Sequence, residues 1–102
     1  MPRRSLRLRV HEEAKQDLIA GRDWYADRSF VAAEVFLDEV EDALALIREA
    51  PDRWPLFRRG MRRFVMASYP YSIIYRATGT TVDVYAVAHA KRRPEYWRMR
   101  RF

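Results

Sequence analysis

Residues 30–50 carry the pattern that most restricts what this chain can become. Ala33, Phe36, Leu37, Val40, Leu44 and Ile47 recur at helical spacing, while Glu34, Asp38, Glu41 and Asp42 take the opposite side. Pro51 ends the run, because proline disfavours helical geometry in the residue before it. Just upstream, Ala14, Leu18, Gly21 and Tyr25 repeat the spacing behind the acidic pair Glu12-Glu13, which suits the positive end of a helix dipole. The spacing predicts a first helix over about 12–27. Arg28-Ser29 makes a short break, with Ser29 placed to cap the second helix. Two helices so joined form an antiparallel hairpin, and its outer face holds most of the chain's acid.

Strand signals flank the hairpin. Leu6, Leu8 and Val10 alternate with Arg7 and Arg9. After a loop from Pro51 to Gly60 come strand-like runs at Arg62–Met66, Tyr71–Arg76 and Thr81–Ala88, with Thr78-Gly79-Thr80 as the turn between the last two. Pro70 precedes its strand, where proline is tolerated. The order is β-α-α-β-β-β plus a basic, aromatic tail from His89, in which Pro94 is placed to open a short helix. Consecutive late strands pair antiparallel. The fold class is therefore α+β: one two-layer domain over 1–102, its antiparallel-rich sheet covered by the N-terminal helical hairpin. Leu6, Leu8, Leu18, Phe36, Val40, Leu44, Ile47, Ile73, Tyr75, Val84 and Ala86 are expected between hairpin and sheet. Trp24, Tyr71 and Tyr85 also fall at core-like periods. The other sheet face has only the tail to cover it.

Several classes are excluded by what is missing. There is no cysteine, so disulfides, thiolate catalysis and zinc–thiolate sites are out. The two histidines have no ligand cluster around them, so no metal is expected, and no cofactor. No run of about 18 apolar residues points to a membrane. The basic Met1–Arg4 lead has no apolar stretch behind it, so no secretion signal is read and a cytoplasmic place is expected. Charge is distributed unevenly. Residues 12–49 hold 11 acids and 4 bases, a net of −7, and the remainder holds 3 acids and 16 bases, a net of +13. All but Lys15 and Lys91 of the bases are arginines, whose planar fork suits phosphate and carboxylate. Two surfaces with different partners are implied.

Three segments together resemble the RelE/ParE toxins of type II toxin–antitoxin systems. They are Val10…Glu13-Ala14…Asp17-Leu18…Trp24-Tyr25, Pro51…Gly60-x-Arg62, and Pro70-Tyr71…Tyr75 followed by Val87-Ala88-His89-Ala90-Lys91-Arg92-Arg93-Pro94 and Tyr96-Trp97. The resemblance runs from about Leu6 to Arg100. It implies a toxin neutralised by a cognate antitoxin, with which it forms a hetero-oligomer. It also implies one of two activities. ParE-like members, the plasmid-stabilisation branch, bind and inhibit DNA gyrase. RelE-like members are endoribonucleases that cut mRNA in the ribosome.

Ribonuclease chemistry on this fold needs a proton acceptor, a donor and cations for the phosphate. By the resemblance, Arg63, Arg92 and Tyr96 would carry it. The match is partial. Ser72 stands where an arginine is expected, and Phe64, Val65 and Met66 leave the second strand uncharged beyond Arg63. The reading therefore favours the gyrase-directed, non-enzymatic branch. Candidate contacts to target or antitoxin are Arg62, Arg63, His89, Arg92, Arg93, Tyr96, Trp97 and Arg100. Each also has a structural reading. His89 suits a hydrogen-bonding place in the strand. Tyr96 and Trp97 suit a lid on the open sheet face. Arg62 suits a loop anchor, and Arg100 a solvated side chain. Arg62, Arg63, Arg92 and Arg93 are expected to form a basic ring that an acidic, amphipathic antitoxin segment would bury. The tail's mixture of bases and aromatics also fits a nucleic-acid-binding module without toxicity.

Overall fold

A computed structural model describes residues 6–102; the basic Met1–Arg4 lead lies outside them. The first strand, β1, is Arg7–Val10, followed by helices α1, Glu12–Ala26, and α2, Phe30–Glu49. A single 3-10 turn, Pro51–Arg53, leads into β2, Arg62–Val65, β3, Tyr71–Ala77, and β4, Thr81–His89. Both helix starts are capped by side chains. Ser29 Oγ accepts the Ala32 amide at 3.2 Å, and His11 Nδ1 accepts the Glu13 amide at 3.0 Å. Thr78 Oγ1 closes the β3–β4 turn by accepting the Thr80 and Thr81 amides.

The strands form one sheet in the order β1-β4-β3-β2. The three late strands pair antiparallel, and β1 joins β4 in parallel. The α1–α2 excursion returns the chain so that β1 runs alongside the last strand. One layer of core lies between hairpin and sheet. Phe36, Val40, Ile47, Ile73, Tyr75 and Val84 are buried there, with Leu6, Leu8, Leu18 and Leu44 partly buried against them. Gly21 allows this closeness. A Cβ on it would sit 3.0 Å from both the Phe36 ring and the Tyr71 hydroxyl.

Ala86 departs from expectation. It is buried, but on the other sheet face, with Met61, Ile74, Tyr85 and Trp97. The register supplies the reason. Ile74 pairs with Ala86 and Tyr75 with Val84, so Tyr85 is an extra residue, a β-bulge. One inserted residue reverses the side to which all later side chains point. Val82 and Val84 before the bulge and Val87 after it therefore share the hairpin face.

The tail forms a run of turns, not the short helix that Pro94 suggests. The Tyr96, Arg98 and Arg100 amides each bond a carbonyl three residues back, but Glu95 has φ +56°, outside the helical region. The turns set Trp97 against the second sheet face, where it is 2% exposed. Trp24 is the reverse case, expected in the core and found 51% exposed. It stands one residue, or about 100°, around α1 from Tyr25 and so sits on the shoulder of the buried stripe.

Candidate functional site

Asp17, on the first half of α1, organises the region where α1, the end of β4 and the tail meet. Its Oδ2 accepts the Val87 amide at 3.1 Å, the Tyr96 hydroxyl at 3.0 Å and the Arg100 Nη1 at 2.7 Å. Its Oδ1 accepts Arg100 Nη2 at 3.1 Å. Arg100 also donates to the Tyr85 carbonyl at 2.9 Å, beside the bulge, and pairs with Glu13 at 3.3 Å. Burial alone would lower the Arg100 pKa, but the Asp17 carboxylate outweighs it and raises it. The Tyr96 hydroxyl is pushed well above the ordinary phenol range, first by burial and then by the Asp17 charge. Tyr96 therefore stays protonated as a donor. The Arg92 guanidinium carbon lies over its ring, 3.7 Å from the centroid.

Beside this network a groove of about 780 Å³ opens between α1 and the start of β3 with the end of β4. Trp24 and Tyr25 on α1 and Tyr71 and His89 on the sheet line it, together with Lys91 and Arg92 just after β4. Burial raises the Tyr71 pKa. His89 Nδ1 accepts the Lys91 amide at 3.0 Å, and its ring meets Tyr71 edge-on at 4.9 Å. Trp24 is fixed in place by Arg28, which stacks on it at 3.5 Å and donates to the Trp24 carbonyl at 2.8 Å.

The remaining expected site residues do not gather into a basic ring. Strand alternation sends Arg62 and Arg63 to opposite faces, opposite Tyr75 and Ile74 respectively. Arg62 is a loop anchor, donating to the Trp54 carbonyl at 2.7 Å and pairing with Asp52 at 3.5 Å. The Tyr75 hydroxyl fixes the same turn by donating to the Pro51 carbonyl at 2.6 Å, and burial pushes its pKa up to about 12. Arg63 is exposed and lies over Phe57 at 4.6 Å. Arg93 is exposed, and Trp97 is buried in the cluster on the second sheet face. Sequence reasoning missed Asp17 as a hub, Trp24 as a groove wall and Glu95 as a clamp. Arg58 and Arg59 both pair with Glu95, at 3.2 and 2.9 Å, and the Arg59 bond foremost lowers its pKa. Asp17 and Trp24 were present in the motif that carried the family resemblance, but nothing local marked their roles. Among the described residues no cluster of three or more His, Asp or Glu is placed to hold a metal, and no helix is long and apolar enough to cross a membrane.

The chain is thus a helical hairpin on a mixed four-strand sheet, with a basic tail folded across the far face. The family model for the ParE toxin of type II toxin–antitoxin systems, parDE, matches residues 8–94. Toxin ParE2 of Mycobacterium tuberculosis, in strains CDC 1551 / Oshkosh and H37Rv, is 31% identical over 90 residues, covering 86% of this chain and 85% of that protein. A chain of the solved chromosomal ParDE TA system from P. aeruginosa superposes with a TM-score of 0.75 at 16% identity, covering 85% of this chain and 98% of that one, and shows the shared fold. This chain belongs to the ParE toxin family of type II toxin–antitoxin systems. The family match ends at Pro94, so Tyr96, Trp97 and Arg100 lie outside it.

Proposed function

We propose that this toxin acts by binding and inhibiting DNA gyrase and is held silent in a hetero-oligomer with its cognate antitoxin. Membership of the ParE family supports the reading, and one observation carries the choice of target. The Tyr96 hydroxyl, which a ribonuclease of this fold would need for proton transfer, donates to a buried carboxylate, and burial with that charge raises its pKa. A phenol so held is a poor proton-transfer group near neutral pH. Ser72 and the apolar run Phe64, Val65 and Met66 add no cation for a phosphate. The action we infer is therefore recognition, in the cytoplasm where gyrase and its DNA reside.

Two assays test this. The purified protein is expected to inhibit supercoiling of relaxed plasmid by gyrase, or to accumulate cleaved plasmid. A coupled translation reaction is expected to show intact mRNA. Codon-phased cuts lost on Arg92→Ala, with gyrase unaffected, would establish the endoribonuclease reading instead.

A further inference from the structure

We propose that the arginines gathered around Glu95 form a binding surface for the phosphate backbone of duplex DNA, one that holds the duplex without reading its sequence. Its purpose rests on the gyrase reading above: the toxin grips the DNA that gyrase holds as well as the enzyme. The binding itself is measured without gyrase, so the two readings stand or fall separately.

The surface is built from two turns. In the loop before β2, the Phe57 amide donates to the Met61 carbonyl at 2.7 Å and the Met61 amide to the Arg58 carbonyl at 2.9 Å. This puts Arg58 and Arg59 at an exposed tip. In the tail, Glu95 receives both, Arg59 Nε at 2.9 Å and Arg58 Nη1 at 3.2 Å. Arg59 and Glu95 each have φ +56°, and among the described residues no other non-glycine residue has a positive φ. Such conformations persist only where the surroundings fix them. Here Arg76 Nη2 donates to the Arg59 carbonyl at 2.8 Å, and the Arg59–Glu95 bond ties the two turns together. Arg63 joins from β2 by lying over the Phe57 ring at 4.6 Å, with the Arg58 guanidinium 5.8 Å from the same ring. Arg98 adds its charge beside Glu95.

The excess of charge suits a phosphate. Arg58, Arg59, Arg63 and Arg98 are exposed, and Glu95 is the one carboxylate that pairs with any of them, which leaves a net of +3. Glu95 takes one N–H from Arg58 and one from Arg59, so most of their donors stay free. A guanidinium presents those donors as a planar fork that matches a phosphate. The arginines stay protonated, so they hold a phosphate and supply no base to cut it. Phe57 decides between backbone and bases. Two guanidinium groups lie at its ring and Trp97 stands 6.3 Å away, so it is not free to stack an unpaired base as single-strand sites require. Contacts to phosphates alone position a duplex and carry no sequence information. An acidic protein is the competing partner. Protein interfaces are anchored by aromatic and apolar side chains set into pockets. Here the cations stand out at two turns, and two of them cover the aromatic ring between them.

The test is fluorescence anisotropy of the full chain with a labelled duplex of about 20 base pairs, titrated over about 50–200 mM KCl. The logarithm of the binding constant is expected to fall with the logarithm of salt at a slope of about −3 to −4, the value for three to four phosphate contacts. Duplexes of unrelated sequence are expected to bind within about twofold of each other. Arg58→Gln with Arg63→Gln is expected to reduce the slope by about 2 and to weaken binding at low salt at least about tenfold. Arg58→Lys with Arg63→Lys keeps the charge and is expected to restore the slope. Lys15→Gln with Arg22→Gln removes the same charge from exposed positions on α1 and is expected to change neither. Urea melts verify the fold of every variant. Equal effects of the two Gln pairs would reduce the binding to net charge and overturn the proposal, as would a wild type that does not bind the duplex. Gyrase that captures the wild type without DNA and not the Arg58→Gln, Arg63→Gln variant, while both bind the duplex alike, assigns the surface to a protein and also overturns it. A wild type that binds the duplex as expected but leaves gyrase supercoiling untouched overturns the gyrase reading and leaves the phosphate surface standing.

Discussion

Asp17 and Arg100, separated by 83 residues in sequence, form a two-bond ion pair at 2.7 and 3.1 Å whose side chains are only 7% and 9% exposed. The pair joins the first helix to the last turn of the tail and closes the β4 edge at Val87 and Tyr85. Breaking a buried pair from one side strands the other charge, which costs about 3–5 kcal/mol. Asp17→Ala and Arg100→Ala are each expected to lower unfolding stability by about that amount. The double substitution Asp17→Leu with Arg100→Met is expected to cost less than the sum, because no charge is left alone. Tyr96→Phe removes one bond to a charged group and is expected to cost about 1.5–3 kcal/mol. Urea unfolding followed by Trp fluorescence measures all four; equal, additive losses would show that the groups are not coupled.

The fold was legible because its signals are periodic and local. The α2 stripe, the Ser29 cap, the Thr78–Thr80 turn and the three late strands each rest on a few adjacent residues, and the structure reproduces them. The site was less legible because its contacts are long-range. Nothing near Asp17 announces Arg100 or Tyr96. The Tyr85 bulge breaks the strict alternation from which the side of Ala86 was read. Arg62 and Arg63 read alike in sequence but diverge once the strand alternates. Trp24 was counted as core because aromatic residues near a stripe usually are; a 100° offset placed it at the groove instead.

Gly21 is expected to be intolerant of even one added methyl. Helix propensity alone favours Gly21→Ala by about 1 kcal/mol. The new Cβ, however, meets two groups at 3.0 Å, the Phe36 ring and the Tyr71 hydroxyl. Phe36 is fully buried and cannot move away freely. Overpacking of this kind costs about 1–3 kcal/mol, enough to offset the gain in propensity. Thermal melts are expected to show a lower midpoint for Gly21→Ala; a higher one would mean that α1 is not held this close to the sheet.

Acid is expected to weaken the β1–β4 junction through Asp83. Arg9 donates to both carboxylate oxygens at 2.7 Å, and this bond foremost holds the Asp83 pKa below its ordinary value. A carboxylate depressed in the folded state stabilises the fold above its unfolded pKa of about 3.9. That contribution is lost as pH falls from there through the folded value. Asp83→Asn removes it at all pH values. The difference in urea midpoint between wild type and Asp83→Asn is therefore expected to be constant at pH 5–7 and to shrink below about pH 4. A difference that stayed constant down to pH 2 would show that Arg9 and Asp83 contribute nothing as an ion pair.

Trp97 is expected to be the residue on which the second sheet face depends. It packs in the cluster with Met61, Ile74, Tyr85 and Ala86. The Arg58–Glu95 and Arg59–Glu95 pairs tie the 51–60 loop to the turn just before it. Those pairs have exposed arginines and contribute little alone. Burial of the indole, by contrast, is the largest apolar term holding the tail down. Trp97→Ala is expected to cost about 3–5 kcal/mol, and Trp97→Phe appreciably less because much of the volume remains. Hydrogen exchange separates this from general destabilisation. Amides of residues 95–100 are expected to lose protection in Trp97→Ala well before those of α2. Uniform loss along the chain would mean that the tail and the hairpin layer unfold as one unit, with Trp97 part of a single core.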